Sequence, residues 1–324
     1  MYNNMSMKSQ FKSQTILITG GTGFVGSHLV EELLKQGFSN IHVTSYGSTS
    51  LLPKNLLDDK NIHKLNLTNK TDTINLFKKI KPDQIYHLAA IAAVGSTFDK
   101  TKWVVDTNTS LQFNVLEAMK QITPKAKLLT IGSAMEYQAH DSAIKETDPV
   151  GPFNPYGVSK LTQTMLSYSY AKAYKLNIVM ARSFNHIGER QNLGFAIPDF
   201  IQQIVDKENQ KGQTITVGNL AATRDFSDVK DVAKAYILLM EKGIAAEIYN
   251  VGSGKDYSIK YILDQLLSMA KQTITVQVDK SKFRPVDIPK VVANNDKVKK
   301  LGWKPTKDIT ATLQRILNFV RNNN

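Results

Sequence analysis

The chain of 324 residues contains no cysteine. Disulfides, thiol nucleophiles and cysteine-ligated zinc are therefore excluded, and the absence fits a reducing compartment. Long hydrophobic runs are also missing. The run Tyr236 to Met240 is among the longest, far short of the roughly 20 apolar residues needed to span a bilayer. Met1 to Gln14 is polar and lacks the apolar stretch of a secretory signal, so the expectation is a cytoplasmic protein with no membrane partner. Arginine is scarce as well: six residues, against 35 lysines.

What is present is ordinary for a globular protein, with 42% hydrophobic and 21% charged residues. The net charge of +13 invites a nucleic-acid reading. The lysines, however, are spread along the chain, without a basic block interleaved with aromatics or a reader motif, and nucleic acid is not expected as a partner. Arg182, Arg190, Arg224 and Arg284 fall in the second half, in stretches that read as loops or strand ends. Arginine's planar donor fork suits phosphate, so their placement hints at an anionic ligand.

The first half alternates short apolar runs with helical periodicity, which predicts an α/β fold with a doubly wound parallel sheet. Strands are expected at Thr15 to Thr19, Ile41 to Thr44, Ile62 to Leu65, Gln84 to Leu88, Lys127 to Ile131 and Ile178 to Ala181. Val25, Leu29, Val30, Leu33 and Leu34 trace a helix face ending at Gly37. Further helices are expected near Thr71 to Ile80, Val104 to Lys120 and Pro155 to Tyr174. Beyond Arg182 the rhythm changes to a long loop through Gly194, a helix near Ile197 to Lys207, a strand at Thr214 to Val217 and a helix near Val229 to Lys242. Ile248 to Val251 reads as a buried strand returning to the main sheet. A smaller C-terminal lobe follows, with helices at Ser258 to Ala270 and Ile309 to Arg321 around the loop Phe283 to Pro289.

Two motifs carry chemistry. In Thr19-Gly-Gly-Thr-Gly-Phe-Val-Gly26 the glycines let the backbone leave a strand sharply and approach a pyrophosphate at a helix N-terminus. Following the first strand and preceding an amphipathic helix, this run signals a dinucleotide site of Rossmann type. The acidic residue expected about 20 residues further on, for the ribose of NAD, is missing. Thr44, Ser45, Tyr46 and Ser48 stand there instead, an uncharged hydroxyl-rich pocket that leans toward NADP(H) and leaves NAD open.

The second motif is Asn154-Pro-Tyr-Gly-Val-Ser-Lys160. If Pro155 opens a helix, Tyr156 and Lys160 emerge on one face. Bringing a tyrosine from its usual pKa of about 10 to neutrality takes roughly 4 kcal/mol. A positive charge at about 4 Å, in an effective dielectric of about 20, supplies nearly that much. Lys160 is therefore expected to tune Tyr156 toward neutrality.

Together the glycine spacing, His87-Leu-Ala-Ala90, Asn108, Ser133 before Tyr137, and Tyr156 to Lys160 resemble the extended short-chain dehydrogenases/reductases that act on nucleotide sugars, over almost the entire chain. Arg182-Ser-Phe-Asn-His-Ile-Gly188, Arg224-Asp-Phe-Ser-Asp228 and Arg284-Pro-Val-Asp-Ile-Pro289 look most like the branch of that family acting on GDP-sugars. The resemblance implies a Rossmann domain over residues 1–182, completed by about 226–252, and a nucleotide-sugar-binding lobe over 183–324. Tyr156 would be the acid/base, Lys160 would hold the nicotinamide ribose, and Ser133 would polarise the sugar C4 oxygen. Gly20, Thr22, Gly23, Phe24, Val25, Gly26, Thr44, Ser45, Leu88, Ala89, Ala90 and Asn108 would serve the cofactor, with Asn66 and Leu67 flanking the adenine. Asn185 would touch the sugar or phosphate, while Arg190, Arg224 and Arg284, with Asp287 beside them, would bind the nucleotide diphosphate. His87, at a strand end, reads as structural.

Dehydratases of this group carry a carboxylate two places after the catalytic hydroxyl, and here that place holds Met135. Met135 has no proton to shuttle, so elimination loses its base. Glu136 follows and, along an extended segment, would point away from that side. The expected activity is reduction of the C4 ketone of a nucleotide-activated 4-keto-6-deoxy sugar, GDP-4-keto-6-deoxy-mannose in first place, by NADPH or NADH and without a metal. The alternatives are a 4-epimerase retaining NAD, a 4,6-dehydratase, or a non-catalytic cofactor sensor. Leu161, Met165 and Tyr168 form a stripe that serves either a homodimer, through the helices near Val104 to Lys120 and Pro155 to Tyr174, or the core.

Overall fold

A computed structural model describes residues 13–47, 50–92, 100–209, 213–283 and 288–323. The first half runs β1 (Ile16–Thr19), α1 (Phe24–Lys35), β2 (Ile41–Ser45), β3 (Ile62–Lys64), α2 (Lys70–Ile80), β4 (Gln84–His87), α3 (Thr101–Ile122), β5 (Lys127–Ser133), α4 (Pro155–Tyr174) and β6 (Asn177–Ser183). Then come β7 (Asn185–Ile187), α5 (Ala196–Asn209), β8 (Thr214–Val217), β9 (Thr223–Asp228), α6 (Val229–Lys242) and β10 (Ile248–Val251). The last part holds β11 (Asp256–Ser258), α7 (Ile259–Ser268), β12 (Thr275–Val278), β13 (Lys290–Val291), α8 (Asp296–Lys300) and α9 (Ile309–Asn323).

Seven strands form one parallel sheet in the order β10-β6-β5-β4-β1-β2-β3. A sheet wrapped on both faces needs strands that are apolar on both faces, which is why Ile16, Leu17 and Ile18 run together. Ile16 and Ile18 pack with Leu29 and Leu33 of α1 and with Val232 and Tyr236 of α6. Leu17 faces the other way, onto Phe77 of α2 and Leu111 and Val115 of α3. As expected, β10 completes the sheet beside β6, with Ile248 opposite Met180. The sequence direction reverses where β1 lies between β2 and β4, and a crevice opens at the carboxyl ends of these strands.

A second core lies beyond β6, with Ile201 and Ile204 of α5 against Leu263 and Leu266 of α7 and Leu313 and Leu317 of α9. It rests on a sheet in which β9 pairs with β7, β11 and β13. Residues 185–187 lie in the stretch expected as a long loop, and 223–228 carried no expected element; both are strands. Their sequences are polar and short, so pairing with each other, rather than propensity, makes them extended. The strand Thr275–Val278 was not anticipated either; it is exposed throughout and held by parallel pairing with β8. Among the described residues no helix is long and apolar enough to cross a membrane.

Candidate active site

A cleft of about 1180 Å³ runs from the glycine turn after β1 to the face of the second lobe. Its first wall is the run Gly20, Thr22, Gly23, Phe24, Val25 and Gly26. A Cβ on Gly26 would sit 2.4 Å from the Gly20 carbonyl oxygen and 2.6 Å from Gly21 Cα, so only glycine lets α1 start this close to β1. The α1 N-terminus receives no side-chain cap: Gly23 precedes it and makes no such bond. That leaves backbone N–H groups and the positive end of the helix dipole facing the cleft, a cradle that fits a pyrophosphate.

Thr44 and Tyr46 also line the cleft. Thr44 is buried, and its Oγ1 accepts the Gly20 N–H at 2.9 Å, so the hydroxyl holds the turn itself. Tyr46 is 78% exposed. Ser45 is buried and absent from the cleft wall, while Ser48 lies outside the described residues. Asn66 and Leu67 border the same end, Asn66 accepting from both the amide and the hydroxyl of Thr68. Leu88, Ala89 and Ala90 form the opposite rim. Asn108 stands behind it, fully buried: its Oδ1 accepts from Ile91 N–H at 2.7 Å and its Nδ2 donates to Ser159 Oγ at 2.8 Å. His87 is buried with Nδ1 2.7 Å from Thr19 Oγ1, and burial pushes it down to about 3, so it is neutral.

Ser133, Tyr156 and Lys160 meet in the middle of the cleft. Asn154 caps α4 by accepting Gly157 N–H at 2.8 Å, and Pro155 opens the helix, which places Tyr156 and Lys160 one turn apart. Ser133 ends β5, and its hydroxyl accepts Met135 N–H at 3.1 Å. The Lys160 ammonium donates to the Ile131 carbonyl at 2.8 Å and stands 5.9 Å from the Tyr156 ring centroid.

The electrostatics differ from the sequence expectation. Burial pushes the Tyr156 phenol up to about 12, the Ser133 hydroxyl against it pulls down, and the Glu136 charge adds to the rise. Burial also lowers Lys160 to about 8, opposed by Glu136. Lys160 is not among the groups that lower Tyr156 in this structure. Desolvation of the phenolate outweighs a lysine whose proton is shared with a carbonyl, and the simple charge-at-a-distance sum contained no desolvation.

Glu136 is also not on an extended segment. Residues Ala134–Glu136 form a 3-10 turn capped by Ser133, and the carboxylate turns back into the protein. It pairs with Arg182, Nε to Oε2 at 2.7 Å, and the guanidinium lies 4.4 Å over the Tyr137 ring. Arg182, counted among the arginines placed for an anion, is thus buried and spent on Glu136. A signal existed: a single arginine inside the apolar strand Asn177–Ser183 demands a buried anion.

On the far side, Asn185 and Arg224 line the cleft. Arg224 is buried and donates through Nη1 to the carbonyls of Thr223 and Ile288. Arg190 does not line it: it donates to Glu31 Oε1 at 2.6 Å and lies 2.9 Å from His28 Nδ1. Arg284 and Asp287 lie outside the described residues.

The fold is that of an extended short-chain dehydrogenase/reductase of the nucleotide-sugar type. A sequence model of the family described as GDP-mannose 4,6 dehydratase matches residues 17–316, and the chain belongs to that family. Among relatives, GDP-6-deoxy-D-mannose reductase of Pseudomonas aeruginosa is 29% identical over 311 residues, covering 94% of this chain and 97% of that protein. A solved structure of RMD from Pseudomonas aeruginosa complexed with NADPH superposes with a TM-score of 0.82 at 28% identity, covering 96% of this chain and 98% of that one. UDP-glucose 4-epimerase of Thermus thermophilus, in complex with NAD, superposes at 0.83 with 25% identity, covering 95% and 99%.

Proposed function

We propose that the chain reduces the C4 ketone of a nucleotide-activated 4-keto-6-deoxy sugar, GDP-4-keto-6-deoxy-mannose in first place, with NADPH. The observation that carries this reading is that Ser133, Tyr156 and Lys160 line one cleft, the Tyr156 phenol against the Ser133 hydroxyl, while an apolar side chain, Met135, occupies the place of a dehydratase base. Reduced nicotinamide supplies the hydride to the carbonyl carbon. Tyr156 gives its proton to the developing alkoxide, a stronger base than phenolate, and Ser133 donates a hydrogen bond to the same oxygen. Lys160 holds the nicotinamide ribose. The uncapped N-terminus of α1 and Gly20 to Gly26 hold the pyrophosphate, with Asn66 and Leu67 at the adenine. Arg224, Arg284 and Asn185 receive the nucleotide diphosphate and sugar.

NADPH is favoured over NADH because β2 ends in hydroxyls and an exposed tyrosine, with no carboxylate to repel a 2'-phosphate. The relative complexed with NADPH supports the same choice. A homodimer through α3 and α4 belongs to this reading: Trp103, Phe113, Met165 and Tyr168 expose apolar surface on that side.

The test is a panel of GDP-, dTDP- and UDP-linked 4-keto-6-deoxy sugars offered with NADPH or NADH, followed by loss of cofactor absorbance and product identification. One reduced cofactor should be consumed per sugar, and Tyr156→Phe should lose at least about a thousandfold in kcat. Interconversion of C4 epimers with no net cofactor consumption would instead mark an epimerase.

A further inference from the structure

The carboxylate of Glu136 is wholly buried, yet it lies three residues from Ser133 and makes no contact with solvent. Both of its oxygens are engaged. Oε1 accepts the Ser133 N–H at 2.7 Å and the Thr164 hydroxyl at 3.1 Å, and Oε2 accepts Arg182 Nε at 2.7 Å. Ser133 ends β5, Thr164 lies two turns along α4 from Tyr156, and Arg182 belongs to β6. One carboxylate thus ties together the strand end that carries the serine, the helix that carries Tyr156 and Lys160, and the neighbouring strand. Gly132 leaves the room for it, since a Cβ there would stand 2.3 Å from Oε1.

Burying an ion pair contributes little net stability compared with apolar packing of the same volume, so its retention calls for another role. We propose that Glu136 is a positioning residue of this site: paired with Arg182, it locks the Ser133 backbone to α4, so that the serine hydroxyl and the Tyr156 phenol are set against one another. The inference rests on the reading that Ser133, Tyr156 and Lys160 carry the chemistry. A carboxylate engaged in this way cannot act as a base on substrate.

The charged and titratable groups around it are few. Arg182 faces it from β6, Tyr156 and Lys160 from α4, and Tyr137 from its own turn, with Glu146 beyond Tyr137 and His87 facing Lys160 from the end of β4. Its negative charge opposes the lowering of Lys160 by burial. Loss of that charge therefore drives Lys160 further down.

Two variants test this, Glu136→Gln and the charge-free pair Glu136→Gln/Arg182→Gln, the second guarding against a single variant that fails to fold around an unpaired arginine. The first readout is the titration of Lys160 by NMR of its labelled side chain, assigned by its loss in Lys160→Met. The second is kcat and the KM for cofactor with the sugar found active above. The expected result is a kcat lower by about tenfold or more in both variants, with the KM for cofactor changed less than about twofold, and in Glu136→Gln a Lys160 midpoint below that of the wild type. A pair that only stabilises would lower the melting temperature and leave kcat of the folded variant unchanged, which would overturn the inference. If Tyr156→Phe keeps its turnover, or no 4-keto sugar is reduced, the functional reading fails. A crystal structure of Glu136→Gln then still decides: a Ser133 hydroxyl held against the Tyr156 phenol as in the wild type overturns the role of Glu136, and a displaced one supports it.

Discussion

Lys160 carries its proton on a group that burial has brought down to about 8, while Tyr156 beside it is held near 12. Across the physiological range only the lysine changes charge. A cofactor rich in anionic phosphate favours the proton-bearing ammonium, so the free protein should take up a proton on binding. The dissociation constant for NADPH, followed by fluorescence, should therefore rise about tenfold as pH increases through about 8. In Lys160→Met the affinity should be weaker and flat across the same range. A wild-type profile that is equally flat would remove the ribose-holding role from Lys160. The spacing of Tyr156 and Lys160 was legible because a helix repeats every 3.6 residues and Pro155 marks its start. Their ionisation was not, because desolvation depends on what closes over the pair, including Glu136 and Arg182, 20 to 26 residues away.

At the level of elements, the turn between β1 and α1 is the most constrained piece of backbone in the cleft. The Gly26 neighbours are backbone atoms of Gly20 and Gly21, which cannot rotate aside as a side chain would. Gly26→Ala should push α1 away from β1, at a cost of about 2 kcal/mol by analogy with overpacked cores. It should also weaken NADPH binding by about tenfold or more, since the N–H groups of the first helical turn move with the helix. Thermal unfolding and fluorescence titration check the two effects, and a variant that melts and binds like the wild type would show the turn to be looser than its geometry. The parallel sheet was legible in sequence because strands buried on both faces are continuous apolar runs, as in Thr15 to Thr19. The second lobe was less so. Thr223–Asp228 contains Arg224, Asp225 and Asp228, and its extended shape comes from partners at 185–187, 256–258 and 290–291. No local window contains that information.

Across the whole molecule, the two cores are joined by a chain of ionic contacts centred on Glu189, just beyond β7. His28 of α1 bonds the Glu189 carbonyl through Nε2 at 2.9 Å, and Arg190 reaches Glu31 of the same helix. The Glu189 carboxylate accepts from Lys230 of α6 at 2.9 Å and from Arg315 of α9 at 2.7 Å. Arg315 extends its other arm to Asp228 at 2.7 Å. The helix that faces the pyrophosphate cradle is thereby tied to α6 on the main sheet and to α9 of the second core. Each bonded pair is at least 41 residues apart in sequence, so Arg190 looked available for phosphate when it is in fact committed to a carboxylate. Arg190, expected at the diphosphate, joins the lobes instead of lining the cleft.

The pH response of this junction has a definite sign. Burial raises Glu189, but Arg315, its own backbone and Lys230 outweigh it and hold the carboxyl at about 2, below its ordinary 4.5. A carboxylate with a depressed folded pKa contributes stability that is fully present above about 4.5 and is lost as pH falls toward about 2. Arg315→Met should therefore lower stability at neutral pH, by about 2 kcal/mol for a partly exposed member of a charged network, less than a wholly buried pair would lose. The variant should also lose less than the wild type over the acid window, because the interaction that protonation destroys is already gone. Urea unfolding midpoints at pH 7 and pH 3 measure both quantities. Parallel declines in the two proteins would mean that Glu189 draws its stability from Lys230 and the backbone alone.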